Sequence, residues 1–197
     1  MPIRRAALTA LALALALAAA PRAWAGEPAE QLSARIDQVL RILEDPALKP
    51  AERAEERRAA IRRVAHDIFD FEELARRSLG RHWQARTPEE RDEFVRLLGH
   101  LLERAYLGKL ELYSGERIAL LGDSVDGDLV TVRTRVVTRQ GTEIPVDYRM
   151  LRRGDGWRAY DVTIEGVSLV ANYRSQFDKI IRRASFQQLV KQVREKQ

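Results

Sequence analysis

The sequence predicts an α+β fold in which a four-stranded antiparallel sheet is covered by a long helix and further helices. Residues 29–113 carry apolar side chains at helical spacing, residues 116–165 alternate apolar and polar side chains, and residues 167–195 return to helical spacing. Helices with one apolar stripe and strands with one apolar face must bury these surfaces against each other. We therefore predict a single domain over residues 26–197, with a helical part (29–113) followed by the sheet and the C-terminal helices (116–195).

The first two predicted helices each carry one apolar stripe. In the first helix the stripe consists of Leu32, Ile36, Val39, Leu40 and Leu43. Pro46 and Pro50 bracket a turn, and a charged helix follows. Its apolar side consists of Ile61, Val64, Ala65 and Ile68. Side chains at this spacing share one face of a helix, so we expect both stripes to be buried.

Capping residues mark the next two helices. Asp70 begins a short helix, Glu73 completes a capping box with it, and Gly80 ends the helix. Thr87 begins the longest helix, and Glu90 follows three residues later, which is again the spacing of a capping box. About 26 residues at 1.5 Å each give this helix a length of roughly 39 Å. Its wide apolar face consists of Phe94, Leu97, Leu98, Leu101, Leu102, Ala105, Tyr106, Leu110 and Tyr113.

Alternation with a period of two indicates the strands. A first strand is predicted near residues 117–121, and turn sequences at 127–128, 140–141 and 154–156 separate the next three strands. The apolar positions of equal parity are Val130, Val132, Val136, Ile144, Val146, Tyr148, Met150, Tyr160, Val162 and Ile164. This pattern places one face of the sheet in apolar surroundings and the other in water. We expect the long helix and the C-terminal helices to cover the apolar face.

The first 25 residues have the pattern of a secretory signal peptide. Arg4 and Arg5 precede an apolar run over residues 6–20, and small residues at Ala23 and Ala25 suit a signal peptidase. We predict cleavage after Ala25 and export to the periplasm. A retained membrane anchor is the alternative, but the run of about 15 residues is shorter than the ~20 that span a bilayer.

Composition limits the classes of partner and chemistry. Removal of residues 1–25 takes three arginines and no acid from a net charge of +5, which leaves +2. Nucleic-acid binding needs a clustered basic surface, so we expect no nucleic-acid partner. The chain has no cysteine, which excludes disulfides and thiol chemistry. We expect the mature protein to be soluble and monomeric.

The sequence offers few candidates for catalysis or metal binding. His66, His82 and His100 have no second histidine or acid at metal-ligand spacing, so no metal site is predicted. Ser168 stands at a strand-to-helix junction, where we interpret it as a helix N-cap rather than a nucleophile.

Asp161 beside Tyr160 is the strongest enzyme candidate. An Asp base and a Tyr donor in an apolar cavity would resemble a ketosteroid isomerase-like site. Strand parity, however, places Tyr160 on the apolar face and Asp161 on the polar face, where Arg149 or Arg174 would make it structural. We therefore predict that the protein is not an enzyme.

An unusually long apolar helix facing a small sheet leaves two interpretations open. Tyr106, Tyr148 and Tyr160 fall among the inward positions, and tyrosine suits a cavity wall because its ring is apolar and its hydroxyl can meet water. The same stripes are also what an ordinary solid core requires. Periodicity alone does not decide between a core and a hollow.

Several sequence segments, and their order along the chain, resemble the MlaC family, also called the toluene-tolerance ABC-transporter auxiliary family. They are residues 69–80 with Trp83, residues 87–91 with Phe94, Tyr106, residues 113–115, 146–148, 157–162 and 165–177. The resemblance covers about residue 30 to the C-terminus. It implies a nuclear-transport-factor-like cone that encloses an apolar pocket for phospholipid, and a cargo lipid rather than a cofactor.

The resemblance also implies a role and partners. Such a carrier shuttles phospholipid between an outer-membrane lipoprotein/porin complex and an inner-membrane ABC transporter with an MCE-domain protein, and so maintains outer-membrane lipid asymmetry. A solid-cored periplasmic adaptor is the contrasting hypothesis. For the lipid-binding wall we predict Leu98, Leu102, Tyr106, Val132, Val136, Val146, Tyr148, Val162, Ile164, Val167 and Val170.

Overall fold

The computed structural model describes residues 26–196, which fold into an α+β arrangement of helices, a sheet and further helices. The helices before the sheet are α1 (Glu27–Glu44), α2 (Ala54–Ile68), α3 (Phe71–Leu79) and α4 (Pro88–Leu110). The strands are β1 (Arg117–Asp126), β2 (Leu129–Val137), β3 (Glu143–Arg153), β4 (Gly156–Ile164) and β5 (Val167–Ser168), and they precede α5 (Leu169–Arg183) and α6 (Phe186–Arg194). Within residues 26–196, no helix is both long enough and apolar enough to cross a membrane.

The sheet is antiparallel with the strand order β1-β2-β3-β4-β5. The prediction of four strands is therefore wrong by one. The fifth strand pairs Val167 with Ile164 and Ser168 with Thr163, after a turn in which Glu165 and Gly166 have φ values of +49° and +81°. A strand of two residues is too short to show an alternation of apolar and polar side chains. Residues 167 and 168 were therefore predicted as part of the helix that follows.

The N-caps predicted for α3 and α4 are confirmed, but only one of the two predicted capping boxes forms. At α4, the Thr87 hydroxyl accepts from the Glu90 N–H at 3.2 Å and the Glu90 carboxylate accepts from the Thr87 N–H at 3.1 Å, which confirms the capping box. At α3, Asp70 caps the Glu73 N–H at 2.8 Å, but the Asp70 N–H donates to the Ala159 carbonyl at 2.9 Å. The second capping box is therefore wrong, because the backbone beside Phe69 bridges to β4 instead.

Two hydrophobic clusters hold the molecule together. One lies among α3, α4, α5 and α6 and includes Phe94, Leu98, Leu102 and Phe177. The other joins α1 and α2 to one face of the sheet. The prediction that the long helix covers the sheet is therefore wrong, since the broad apolar face of α4 is occupied by the neighbouring helices. Phe69, between α2 and α3, packs against both clusters.

Candidate functional site

One face of the sheet carries apolar side chains in rows that cross β2, β3 and β4. The strand pairing defines three such rows: Val130–Met150–Ala159, Val132–Tyr148–Val162 and Thr134–Val146–Ile164. A fourth, shorter row pairs Val136 with Ile144. We call the first row the packed end, and we call Val136, Ile144, Ile164 and Val167 the open end. The two ends are the limits of one continuous surface.

The packed end is closed by the first two helices. Val130, Met150 and Ala159 are 2%, 1% and 0% exposed, beneath Ala29 and Leu32 of α1 and Val64 and Ile68 of α2. The side chain of Gln31 fastens α1 to β4, because it accepts from the Trp157 N–H at 2.9 Å and donates to the Trp157 carbonyl at 3.3 Å. This end of the face is ordinary core.

The open end keeps apolar surface accessible. Val136 and Ile144 are half-buried, Ile164 is 37% exposed and Val167 is 62% exposed. The second half of α1 shows the same change, since its stripe residues are only half-buried there: Ile36, Val39, Leu40 and Leu43. An accessible apolar surface of this kind is a candidate for an interaction or ligand site.

Polar contacts bring the ends of three helices together beside the open end. Glu111, just after α4, lies 2.9 Å from Arg57 and 3.0 Å from Arg58 of α2. About two turns earlier in the chain, Glu103 of α4 pairs with Arg62 of α2. The Tyr113 hydroxyl donates to Glu44, the last residue of α1, at 2.9 Å. These contacts hold α1, α2 and α4 around the start of β1.

The arginines lower the pKa of two carboxyl groups in these contacts. Hydrogen bonds from Arg58 and then Arg57 lower the pKa of Glu111 against the opposing effect of burial. A hydrogen bond from Arg62 lowers the pKa of Glu103 in the same way. Both carboxyl groups are therefore ionised at neutral pH, and the contacts between α2 and α4 are charge-assisted.

Tyrosines near this region lie in weakly hydrated surroundings. Burial alone raises the pKa of Tyr148 to about 12 and raises the pKa of Tyr106. Burial also raises the pKa of Tyr173 on α5, with a smaller contribution from Tyr106. These hydroxyls stay protonated at neutral pH and suit a mainly apolar wall rather than acid–base chemistry.

The predicted wall residues are divided between the two clusters and the surface. Leu98, Leu102 and Val170 are buried in the helical cluster, and Tyr106 packs against it. Val132 is buried in the sheet cluster with Tyr148 packed beside it, and Val146 is buried in the third row. Val136 and Val162 are half-buried, and Ile164 and Val167 are exposed. The second half of α1 also packs against the sheet cluster, but its helical spacing predicted only core.

Asp161 is a structural carboxylate at the junction of β4 and α5. It is 2% exposed, accepts from the Ser168 hydroxyl at 2.6 Å and from the Val170 N–H at 3.0 Å, and lies 3.8 Å from the Arg149 guanidinium. The Ser168 hydroxyl in turn accepts from the Ala171 N–H at 3.0 Å, which confirms its role as N-cap. Both carboxylate oxygens of Asp161 are engaged in positioning α5.

The expected separation of Tyr160 and Asp161 is wrong. Asp161 pairs with Arg149 but Ala159 pairs with Met150, so Tyr160 is an extra residue in a β-bulge. The bulge turns the Tyr160 ring away from the apolar rows. The ring centroid lies 4.0 Å from the Arg77 guanidinium and 5.6 Å from that of Arg149, on the side of Asp161. Arg149 is the predicted partner of Asp161, whereas Arg174 donates to the Arg77 carbonyl instead.

Two cavities are present among residues 26–196, and the smaller one borders Thr134 of the third row. An open cleft of about 560 Å³ between the end of α3 and α5 is lined by Leu79, Gly80, Arg81, Ala171, Arg174, Ser175, Asp178 and Arg182. Asp178 pairs there with His82 and Arg81, which lower its pKa. A cavity of about 20 Å³ between α1 and the first two strands has room for about one water molecule. Neither cavity is lined by a predicted wall residue.

Comparison with known proteins gives three findings. The family model of the MlaC protein matches residues 33–195. The intermembrane phospholipid transport system binding protein MlaC of Haemophilus influenzae is 25% identical over 115 residues, which are 54% of this chain and 54% of that protein. The match therefore spans about half the length of this relative. The phospholipid-binding protein from Ralstonia solanacearum, solved in complex with a phospholipid, is 26% identical and covers 86% of this chain and 96% of its own, with a TM-score of 0.75.

Proposed function

The chain belongs to the MlaC family, and on this premise we propose that it is a periplasmic carrier that holds a phospholipid by its acyl chains. The observation that carries this proposal is the open end of the sheet, where one continuous apolar face stops being covered. The solved relative from Ralstonia solanacearum was crystallised with a phospholipid, which supports the same class of ligand here.

The half-buried and exposed members of the predicted wall are the proposed contacts for the acyl chains. They are Tyr106, Val136, Tyr148, Val162, Ile164 and Val167. Leu98, Leu102, Val132, Val146 and Val170 are buried, so they would support the wall from behind. In this arrangement the family's cone-shaped pocket lies between the sheet, the second half of α1 and the last turns of α4.

The free energy of exposing acyl chains to water determines how much of the lipid the carrier must bury. Each methylene group removed from water contributes about 0.8 kcal/mol, so the two acyl chains of a phospholipid cannot cross an aqueous gap unprotected. The protein must bury nearly all of both chains, whereas the headgroup can remain in water. Selectivity for the headgroup is therefore expected to be weak.

Release of the lipid requires a partner. A lipid buried along its acyl chains dissociates slowly, so docking must favour a conformation that holds it less tightly. Phe69 packs against both clusters, and a movement of the helical cluster about this segment would widen the open end. The proposed partners are the inner-membrane ABC transporter with its MCE-domain protein and the outer-membrane lipoprotein/porin complex, which would together maintain lipid asymmetry. Residues 1–25 would be a cleaved signal peptide and residues 26–197 a monomeric carrier.

Native mass spectrometry of the exported protein, purified without detergent, tests this function. We expect a phospholipid adduct of one lipid per chain, identified by extraction of the same sample. Val167→Asp should abolish the adduct because it places a charge at the open end. Val125→Asp is the matched control, since Val125 is a strand valine of similar exposure, 58% against 62%, on the β1–β2 hairpin at the other end of the sheet.

The contrasting function is a solid-cored adaptor between envelope complexes. Its support is that neither cavity described above is lined by a predicted wall residue. A protein at bare mass, still bare after incubation with phospholipid vesicles, would favour the adaptor. The ketosteroid isomerase-like alternative has no geometric support, because the Asp161 carboxylate is occupied and Tyr160 lies outside the apolar rows.

A further inference from the structure

We propose that cleavage after Ala25 creates an ion pair between the new α-ammonium group of Gly26 and the Asp123 carboxylate, which fastens α1 to β1. The inference rests on the export and cleavage proposed above, but not on lipid binding. The Gly26 nitrogen already donates to Asp123 Oδ1 at 3.3 Å. In the uncleaved chain this nitrogen belongs to a peptide bond and carries a single hydrogen and no charge.

The Asp123 carboxylate is incompletely satisfied by the uncleaved backbone. Its Oδ2 atom is buried and has no hydrogen-bond partner among residues 26–196. A buried carboxylate oxygen without a donor destabilises the fold, because it has lost water and gained nothing in return. An α-ammonium group has three N–H donors and a full positive charge, so it can donate to both oxygens of Asp123 at once.

The close approach explains why this position is a glycine. A Cβ atom on Gly26 would lie 2.6 Å from Asp123 Oδ2, which is shorter than any normal contact. The φ value of −70° is accessible to every residue, so the backbone conformation does not require glycine. Glycine therefore lets the Asp123 carboxylate lie against the backbone at this position, whereas a larger residue would require the Asp123 side chain to shift.

The position of the pair in α1 gives it a structural effect. Gly26 is the N-cap of α1, and its carbonyl accepts from Ala29 at 3.0 Å and Glu30 at 3.1 Å. A positive charge at a helix N-terminus is unfavourable for the helix dipole, but Glu27 and Glu30 in the first turn and Asp123 itself offset it. The pair would tie the buried half of α1 to β1, next to the Gln31 contacts with β4. The exported protein would then be more stable than its precursor.

Thermal unfolding of purified chains with defined starts tests the pair without reference to lipid. One protein begins at Gly26 and another at Trp24, both released from cleavable fusions, and each is also made with Asp123→Asn. We expect the protein that begins at Gly26 to melt about 2–4 °C higher at pH 7 and low salt, which corresponds to ~1 kcal/mol in a domain of this size. The difference should disappear with Asp123→Asn and persist with Asp126→Asn, an exposed acid on the same strand.

Two further measurements separate the charge from the length of the chain. Acetylation of the Gly26 α-amino group keeps the length of the chain but removes the charge. The acetylated protein should therefore have the same melting temperature as the protein that begins at Trp24. Intact mass of the exported protein should correspond to a chain that begins at Gly26. Equal melting temperatures, a difference that survives Asp123→Asn, or cleavage at another bond would each overturn the proposal, whether or not the protein carries lipid.

Discussion

The two ends of one sheet face differ in what covers them. At the packed end, Val130, Met150 and Ala159 lie beneath α1 and α2 and are almost fully buried. At the open end, Val136 and Ile144 are also apolar, and they lie on the same two strands and the same sheet face as Val130 and Met150. They nevertheless remain half-exposed. The difference shows that apolar alternation identifies which face of a sheet is turned from water. It does not show whether other parts of the protein cover that face. One end contributes stability, and the other leaves apolar surface accessible at the place where we propose that the ligand binds.

Truncation of one side chain at each end measures whether the two ends are packed alike. We expect Met150→Ala to lower the free energy of unfolding by about 2–5 kcal/mol, because it leaves a cavity in a row that is fully enclosed. Ile144→Ala should lower the free energy of unfolding by less than half as much, because the Ile144 side chain is only half-buried. Urea unfolding of the lipid-free proteins measures both. Equal losses would mean that the open end is packed core.

Asp161 connects the sheet to α5, and its replacement tests the contribution of this junction to stability. Asp161→Asn should lower the free energy of unfolding by about 1–3 kcal/mol, because the buried Val170 N–H and the half-buried Ser168 hydroxyl lose a charged acceptor. Asp128→Asn, in the exposed turn between β1 and β2, is the control and should stay within ~0.5 kcal/mol. Lipid occupancy of the folded Asp161→Asn protein should remain that of the wild type. Loss of occupancy without loss of stability would give Asp161 a functional role.

Local sequence patterns predicted the helix starts and the apolar rows. Thr87 and Glu90 form the expected capping box, because a cap depends only on residues within one turn. The parity of Val130, Val132 and Val136 likewise placed them on one face of β2. These features are fixed by chemistry within a few residues, so a single sequence is enough to find them.

Features that depend on distant partners were not predictable. The bulge at Tyr160 leaves the apolar alternation of β4 looking regular, so parity assigned this ring to the wrong face. The stripes of α1 and α4 suit the sheet equally well in sequence, and only the packing of α4 against α3, α5 and α6 decides between them. For the same reason the wall residues could be predicted as apolar, but not as enclosed or exposed. The division of Leu98 and Ile164 between buried cluster and surface is a property of the assembled fold.

The contacts between α2 and α4 should make the open end sensitive to acid. Arg58 and Arg57 lower the pKa of Glu111 in the folded protein. A carboxyl group with a lowered folded pKa stabilises the fold above its unfolded pKa of about 4.3, and this contribution is lost as the pH falls through the folded value. We therefore expect lipid release to accelerate only as the pH falls below about 4.3, where Glu111 becomes protonated and α2 separates from α4.

Glu111→Gln is the corresponding variant. It should lower the free energy of unfolding at pH 7 by about 1 kcal/mol and reduce the acid dependence of lipid release. Glu55→Gln is the control, because Glu55 also pairs with Arg58 but its side chain is 80% exposed. Release rates from pH 3 to pH 7, followed by transfer of a fluorescent phospholipid to vesicles, measure the effect. An unchanged acid dependence in Glu111→Gln would separate these contacts from lipid retention.

The ion pair on the polar face of the sheet, opposite the open end, should have the smallest effect on stability. Arg135 on β2 pairs with Glu143 on β3 at 2.7 Å, with side chains 39% and 54% exposed. An ion pair of this exposure contributes about 0.2–1 kcal/mol, because water screens both charges. A double-mutant cycle with Arg135→Gln and Glu143→Gln should give a coupling free energy in that range and leave lipid occupancy unchanged. Since Arg135 is the chain neighbour of Val136 but points to the opposite face, unchanged occupancy would assign lipid retention to the apolar rows, whereas lost occupancy would place the lipid on the other side of the sheet.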